Sequence, residues 1–212
     1  METVWANRRQ LVASLADANF DLVLVPSFST WDRVTRLEHG YQVARGLRFL
    51  ELLVHSGIPT VPNVAWYLER DISEWARELM NWAGPRAFSV DIQTLQTEEK
   101  WDWGLRALRL LADKIGSGWE VLVNGVGRAD NIGALTAIFG HIHLINARAY
   151  ELAMANRMPH GDLLTKEIRT DPAARMATFA KNVAIWSNAT YSPALCQLRA
   201  SMTAAKQGSS ST

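Results

Sequence analysis

A single cysteine, Cys196, is all the thiol chemistry in these 212 residues. That excludes an internal disulfide. It also excludes, within one chain, zinc ribbons and cysteine-held iron–sulfur clusters, which need several thiolates. Cys196 lies beside apolar residues and reads as packing. No sign of charge dominates either: 22 basic against 21 acidic residues leave +1. A dedicated nucleic-acid binder needs a marked basic excess, so nucleic acid is not strongly indicated, although a local basic groove stays open. No stretch reaches the roughly 18 consecutive apolar residues of a membrane span. The start, Met1 to Arg9, lacks the apolar core of a signal peptide. The expectation is a cytoplasmic protein without membrane association. Neither G-x-G-x-x-G, a P-loop nor a G-x-S-x-G elbow occurs, so no cofactor is expected.

What the chain has is apolar mass in short, regular pieces. Hydrophobic residues make up 48% and there are nine tryptophans, enough to pack helices onto a sheet; a minority of those rings could stack on a base or sugar. Five short apolar runs form a ladder: Leu22–Ser27, Thr60–Asn63, Ala87–Asp91, Val121–Asn124 and Ile142–Asn146. Each is followed by a longer helix-like stretch, the pattern of parallel strands joined by crossovers. The expected class is α/β: a parallel sheet of about five βα units, either an incomplete TIM-barrel-like fold or an open sheet, with C-terminal helices. Ligands in such folds bind at the carboxyl ends of the strands.

The spacing predicts a helix over 3–18 with Val4, Leu11, Val12 and Leu15 on one side, then a strand over Asp21–Ser27. A long helix over 34–55 follows, its apolar stripe including Leu47, Leu50, Leu53 and Val54, with Gly57 as its stop. The second strand, Ile58–Ala65, carries Pro59 and Pro62 and is therefore short, bulged or at an edge. A helix over 71–82 takes Asp71 as N-cap. Strand 87–92, helix 97–115, strand 119–123, helix 129–139 and strand 141–145 complete the alternation. Pro159-His-Gly161 reads as a break, with helices over 171–184 and 193–206 beyond it. The expected organisation is a βα-repeat domain over 1–158, a helical extension over 159–206 and a Ser/Gly-rich tail over 207–212.

A set of spaced residues also resembles an uncharacterised bacterial and phage domain family of unknown function, over about residues 5–150. The residues are Val4-Trp5-Ala-Asn7, then Pro26-Ser-Phe28-Ser29-Thr-Trp31, Arg45-Gly46, Gly57-Ile58, Pro62 and Trp66, with Ser89 and Val121–Gly125 in later positions. Ser27 stands where the family carries an acidic residue. The family pattern also includes a strand before V-W-x-N, which would lie upstream of Met1. The resemblance implies the α/β fold and a phage or mobile-element setting, and it implies no reaction.

Among residues able to carry chemistry, Asp91 stands out as a carboxylate ending an apolar strand. There it could serve as general base, nucleophile or metal ligand; the plain structural reading is a cap or an arginine partner. Gln93, two residues on, points to the same side in extended chain. A carboxylate with an amide can read the donors and acceptors of a heterocycle; the plain structural reading of Gln93 is a loop amide bonded to backbone. Asn63, Asn124 and Asn146 fall at corresponding strand ends and suggest a polar pocket floor, although asparagine also favours turns. Asn124-Gly-Val-Gly-Arg128 could bring backbone N–H groups and Arg128 to a phosphate, or be a tight turn. Ser27, Ser29, Trp31, Asp32 and Arg33 form a polar loop suited either to substrate contact, with Trp31 or Trp66 as stacking face, or to capping the long helix as a turn cluster.

His141 and His143 share a strand face but have no third ligand by spacing, and His39, His55 and His160 are scattered, so no metal site is expected. The reading is an enzyme with Asp91 as acid/base or nucleophile, acting on a small polar substrate such as a nucleobase, nucleotide or sugar phosphate. The alternative is a non-catalytic ligand-binding or protein-interaction module of a phage or mobile element. A homodimer through the C-terminal helices is a further option for partners.

Overall fold

The computed structural model describes residues 2–28, 34–125, 129–145, 151, 153–155, 157–160, 163–166 and 177–182. The chain divides into two compact units, Met1–Gly125 with Ile138–Leu144, and Val126–Ala137 with Ile145–Thr212. The expected α/β class, built on parallel strands and helices, is what the structure has.

In the first unit the predicted N-terminal helix is two, α1 (Glu2–Ala6) and α2 (Arg8–Ala18), parted at Asn7. Strand β1 (Val23–Leu24) is much shorter than the run Asp21–Ser27 suggested. Helix α3 (Arg36–His55) starts at Thr35, whose hydroxyl accepts from Glu38 N–H. Its end is a Schellman turn: Ile58 N–H donates to Leu53 C=O and Gly57 N–H to Val54 C=O. Gly57 supplies the left-handed φ of +69°. The buried stripe of α3 is Phe49, Leu50 and Leu53 together with His39 and Arg45. Val54 and Leu47, assigned to that stripe from spacing, face solvent. Phe49, Leu50 and Leu53 join Val12, Val25, Phe28 and Ile58 in one cluster, against which Val4, Trp5, Leu11 and Leu15 pack. Each such side chain withdrawn from water is worth roughly 1.5–3 kcal/mol.

Proline explains the next feature. The predicted strand 58–65 splits at Pro62 into β2 (Thr60–Val61) and β3 (Asn63–Val64). Strand β2 pairs with β1, Val23 opposite Thr60, while β3 pairs with β4 (Ala87–Asp91), Asn63 opposite Ser89. Pro62 has no N–H to donate, so the ladder breaks there, but its carbonyl still accepts Ser89 N–H at 2.8 Å. Strand β4 pairs in parallel with β5 (Glu120–Asn124), and β5 neighbours β6 (His141–Ile145). The strands thus follow chain order, β1-β2 and then β3-β4-β5-β6; among the described residues they do not close into a barrel.

Helix α4 (Glu69–Met80) begins two residues before the predicted Asp71. Asp71 is therefore not the N-cap. It sits inside the first turn and reaches back, accepting Tyr67 N–H at 2.9 Å and Leu68 N–H at 3.0 Å. Helix α5 (Glu98–Ile115) is capped by Thr97, which accepts Lys100 N–H, and ends at Gly116. Both bury an apolar stripe, Ile72, Trp75 and Leu79 on α4 and Leu105, Leu108 and Leu111 on α5. No helix among the described residues is long and apolar enough to cross a membrane.

The second unit contains α6 (Ala129–Thr136) and an antiparallel pair, β7 (Arg157–His160) and β8 (Leu163–Lys166). The pair corrects the reading of 159–161 as a plain break, since Pro159 lies within β7 opposite Leu164. Residues 177–182 are helical. The rest of the predicted C-terminal helices lies outside the described residues.

Candidate functional site

Alternation along β4 and β5 sorts their side chains into two faces. Phe88, Val90, Val121 and Val123 lie on one face and are buried almost completely. Ala87, Ser89 and Asp91 lie on the other, opposite Glu120, Leu122 and Asn124. Asn63 joins that second face through its register with Ser89. A polar row therefore runs along the carboxyl ends of β3, β4 and β5.

The row is bonded together. Asp91 Oδ1 accepts Gln93 N–H at 3.1 Å, which fixes the turn directly after β4. Asp91 Oδ2 accepts Asn124 Nδ2 at 3.4 Å, and Asn124 Oδ1 accepts Gln93 Nε2 at 3.3 Å. Asn63 Nδ2 donates to Ser89 Oγ at 3.1 Å, and Ser89 Oγ donates in turn to Pro62 C=O at 3.4 Å. Among the described residues each carboxylate oxygen of Asp91 thus takes one bond, and such an oxygen can accept a further one.

Above the row lies a cleft of about 240 Å³, lined by Ser27, Phe28, Asn63, Val64, Ala65, Trp66, Asp91, Gln93, Thr94 and Leu95. Asp91 is half-buried in it and Gln93 is exposed. Five residues singled out from sequence, Ser27, Asn63, Trp66, Asp91 and Gln93, meet here, and Asn124 reaches them through its bonds to Asp91 and Gln93. Ser29, Trp31, Asp32, Arg33, Arg128 and Asn146 lie outside the described residues.

Several contributors escaped the sequence reading. Ser89, in sequence a motif position with no assigned chemistry, accepts Asn63 Nδ2 and so fixes that side chain. Its signal was the i, i+2 spacing with Asp91 in an otherwise apolar strand. Leu95 nests where a Cβ on Gly104 of α5 would stand, so that glycine makes room for one wall of the cleft. Gly125 has φ +102°, and a Cβ there would lie 2.7 Å from Gln93 N and 2.8 Å from Gln93 Cα. The turn after β5 can pass the turn after β4 only because this residue is glycine.

Behind the cleft, Phe28 belongs to an aromatic cage. Trp5 meets Phe28 edge-on at 5.9 Å, and the Arg45 guanidinium lies over Trp5, Phe28 and Tyr41 at 4.9, 4.8 and 5.5 Å. Arg45 is buried and paired with the exposed Glu2 at 2.7 Å. The spaced residues Trp5, Phe28 and Arg45 are thereby neighbours with a packing role. A second long-range ion pair joins Arg36 to Asp71. Burial alone would push the Asp71 carboxyl up, but the Tyr67 and Leu68 N–H groups and Arg36 outweigh it and hold it below its ordinary range.

His143 Nε2 lies 3.0 Å from Glu120 Oε2, both exposed. Among the described residues no group of three or more His, Cys, Asp or Glu side chains could hold a metal ion.

No protein-family model matches the chain, and no curated protein does. A crystal structure described as the putative copper homeostasis protein CutC from Streptococcus agalactiae is similar to it, with 13% identity over 66% of this chain and 80% of that one, at a TM-score of 0.35.

Proposed function

We propose that the cleft at the carboxyl ends of β1, β3 and β4 binds a small polar ligand and that the protein is an enzyme acting on it, with Asp91 as acid/base or nucleophile. One observation carries this reading: Asp91 lines the cleft while Gln93 N–H and Asn124 Nδ2, one on each oxygen, hold its carboxylate in place. A carboxylate so oriented can take a proton from a ligand N–H or O–H with little reorganisation. Asn63 and Gln93 supply amide groups to orient the ligand, and Trp66 supplies a flat apolar wall. The bacterial and phage family resemblance belongs with this proposal as its biological setting.

Thermal unfolding of wild type and Asp91→Asn, run against nucleobases, nucleosides, nucleotides, sugar phosphates and divalent metals, tests the reading. The expected outcome is a ligand that raises the wild-type midpoint and fails to raise that of a variant of equal intrinsic stability. Turnover of that ligand by wild type and its loss in the variant then separates an enzyme from a non-catalytic binding module. If no compound shifts the wild type and the variant is simply less stable, Asp91 is scaffold and the proposal fails.

A further inference from the structure

We infer that the cleft takes an uncharged, planar heterocycle presenting two adjacent N–H donors, as on the guanine or isocytosine edge, and disfavours phosphorylated ligands. The inference rests on the ligand-binding reading above and narrows it to one chemical class.

Charge is the first argument. Among the described residues lining the cleft, Asp91 is the one acidic or basic side chain, and no lysine, arginine or histidine joins it. A phosphate would bring two negative charges beside a carboxylate with no described cation to offset them. The arginines of the helix that follows the cleft-lining Ser27 and Phe28 are engaged elsewhere. Arg36 pairs with Asp71, Arg45 with Glu2 and Arg48 with Glu51.

Hydrogen-bond inventory is the second. Asp91 is acceptor-only when ionised; among the described residues its Oδ1 takes Gln93 N–H and its Oδ2 takes Asn124 Nδ2, and each carboxylate oxygen can accept a further bond. The two oxygens of one carboxylate match two adjacent N–H donors, such as the ring N–H and exocyclic amine of a 2-amino-4-oxo ring. Asn63, also on the lining, gives one Nδ2 hydrogen to Ser89 Oγ, and its Oδ1 adds an acceptor to the set. The charged group of the lining is acceptor-only, the amides and hydroxyls around it can act either way, and a donor edge is what the carboxylate itself selects. Shape is the third argument. Phe28, Val64, Ala65, Trp66 and Leu95 make much of the remaining wall apolar and partly aromatic, beside the hydroxyls of Ser27 and Thr94, and about 240 Å³ admits a one- or two-ring heterocycle.

The test is titration calorimetry on the full chain, wild type and Asp91→Asn, with isocytosine, cytosine, guanosine, guanosine monophosphate and ribose 5-phosphate. Cytosine is the control, since its edge sets one donor beside an acceptor. Isocytosine and guanosine are expected to bind at least about tenfold tighter than cytosine, with guanosine monophosphate no tighter than guanosine. Asp91→Asn is expected to lose about tenfold or more for isocytosine, and far-ultraviolet circular dichroism checks that the variant stays folded. Tighter binding of either phosphorylated compound, or equal binding of cytosine and isocytosine, overturns the inference while leaving a ligand site in place. Silence from all five, together with a ligand found in the wider thermal panel, overturns the inference alone. Silence in both removes the site itself.

Discussion

Gly125 is the residue whose replacement would separate geometry from chemistry at the cleft. It touches no ligand in the proposed arrangement, yet an alanine Cβ would meet Gln93 backbone atoms at 2.7 and 2.8 Å in a conformation, φ +102°, that L side chains avoid. Backbone on both sides means neither turn can yield cheaply. Gly125→Ala is expected to cost about 1 kcal/mol or more in urea unfolding. It should also weaken any Asp91-dependent ligand shift, because it displaces the Gln93 N–H that Asp91 Oδ1 accepts. Unchanged stability with an unchanged ligand shift would show that the two turns are not coupled. Asp91, Gln93, Asn63 and Asn124 were visible from sequence because a polar residue closing an apolar run has few other places to go. The contacts that fix them were not. Gly125 against Gln93, and Ser89 beneath Asn63, join residues 32 and 26 positions apart, and no local pattern encodes which strand ends become neighbours.

Elements were most legible where local chemistry is unambiguous. Thr97 followed by Glu98-Glu99 marks the start of α5, and Gly57 marks the end of α3 through a positive φ. Legibility failed where a tertiary partner decides. The carboxylate of Asp71 serves Tyr67 N–H, Leu68 N–H and Arg36 together, so α4 can begin at Glu69 with Leu68 ahead of it. Strand β1 shrank because only Val23 and Leu24 find a ladder partner in the Pro59–Pro62 segment. Gly104 is the informative position within a helix. Glycine in a helix interior costs about 1 kcal/mol relative to alanine, and here it leaves space for Leu95. The obstructing atoms are the tip of a flexible side chain, so Gly104→Ala should fold and gain up to about 1 kcal/mol in thermal or urea unfolding. Leu95 would be pushed toward the cleft it lines. Ligand affinity should therefore fall as stability rises, opposite to Gly125→Ala, where both fall.

At the scale of the molecule, the parallel order of strands was readable from the alternation of short apolar runs and helices. The ion pairs that tie distant segments of the first unit were not, because charge carries no periodicity that names its partner. Glu2 reaches Arg45 and Arg36 reaches Asp71 across 43 and 35 positions. Both carboxylates titrate below their ordinary values of 4.5 and 3.8. For Glu2 the leading cause is the hydrogen bond from Arg45, and for Asp71 burial is outweighed by two backbone N–H groups and Arg36. A carboxylate with a depressed folded pKa stabilises the fold above its unfolded value, and that contribution disappears as pH falls through the folded value. Asp71 matters more, since its side chain is 7% exposed while that of Glu2 is 83% exposed. Asp71→Asn leaves Arg36 without its carboxylate and removes the charge from the α4 N-terminus. The cost should be about 2 kcal/mol at pH 7, below the roughly 3–5 kcal/mol of a fully buried pair because Arg36 keeps access to water. Chemical unfolding of wild type and variant at pH 7 and again well below pH 3.8 gives the measurement. The gap between the two proteins should be widest at neutral pH and should narrow in acid, where wild-type Asp71 takes up its own proton. A gap that persisted undiminished in acid would mean that Asp71 stabilises α4 through the shape of its hydrogen bonds, with its charge contributing little.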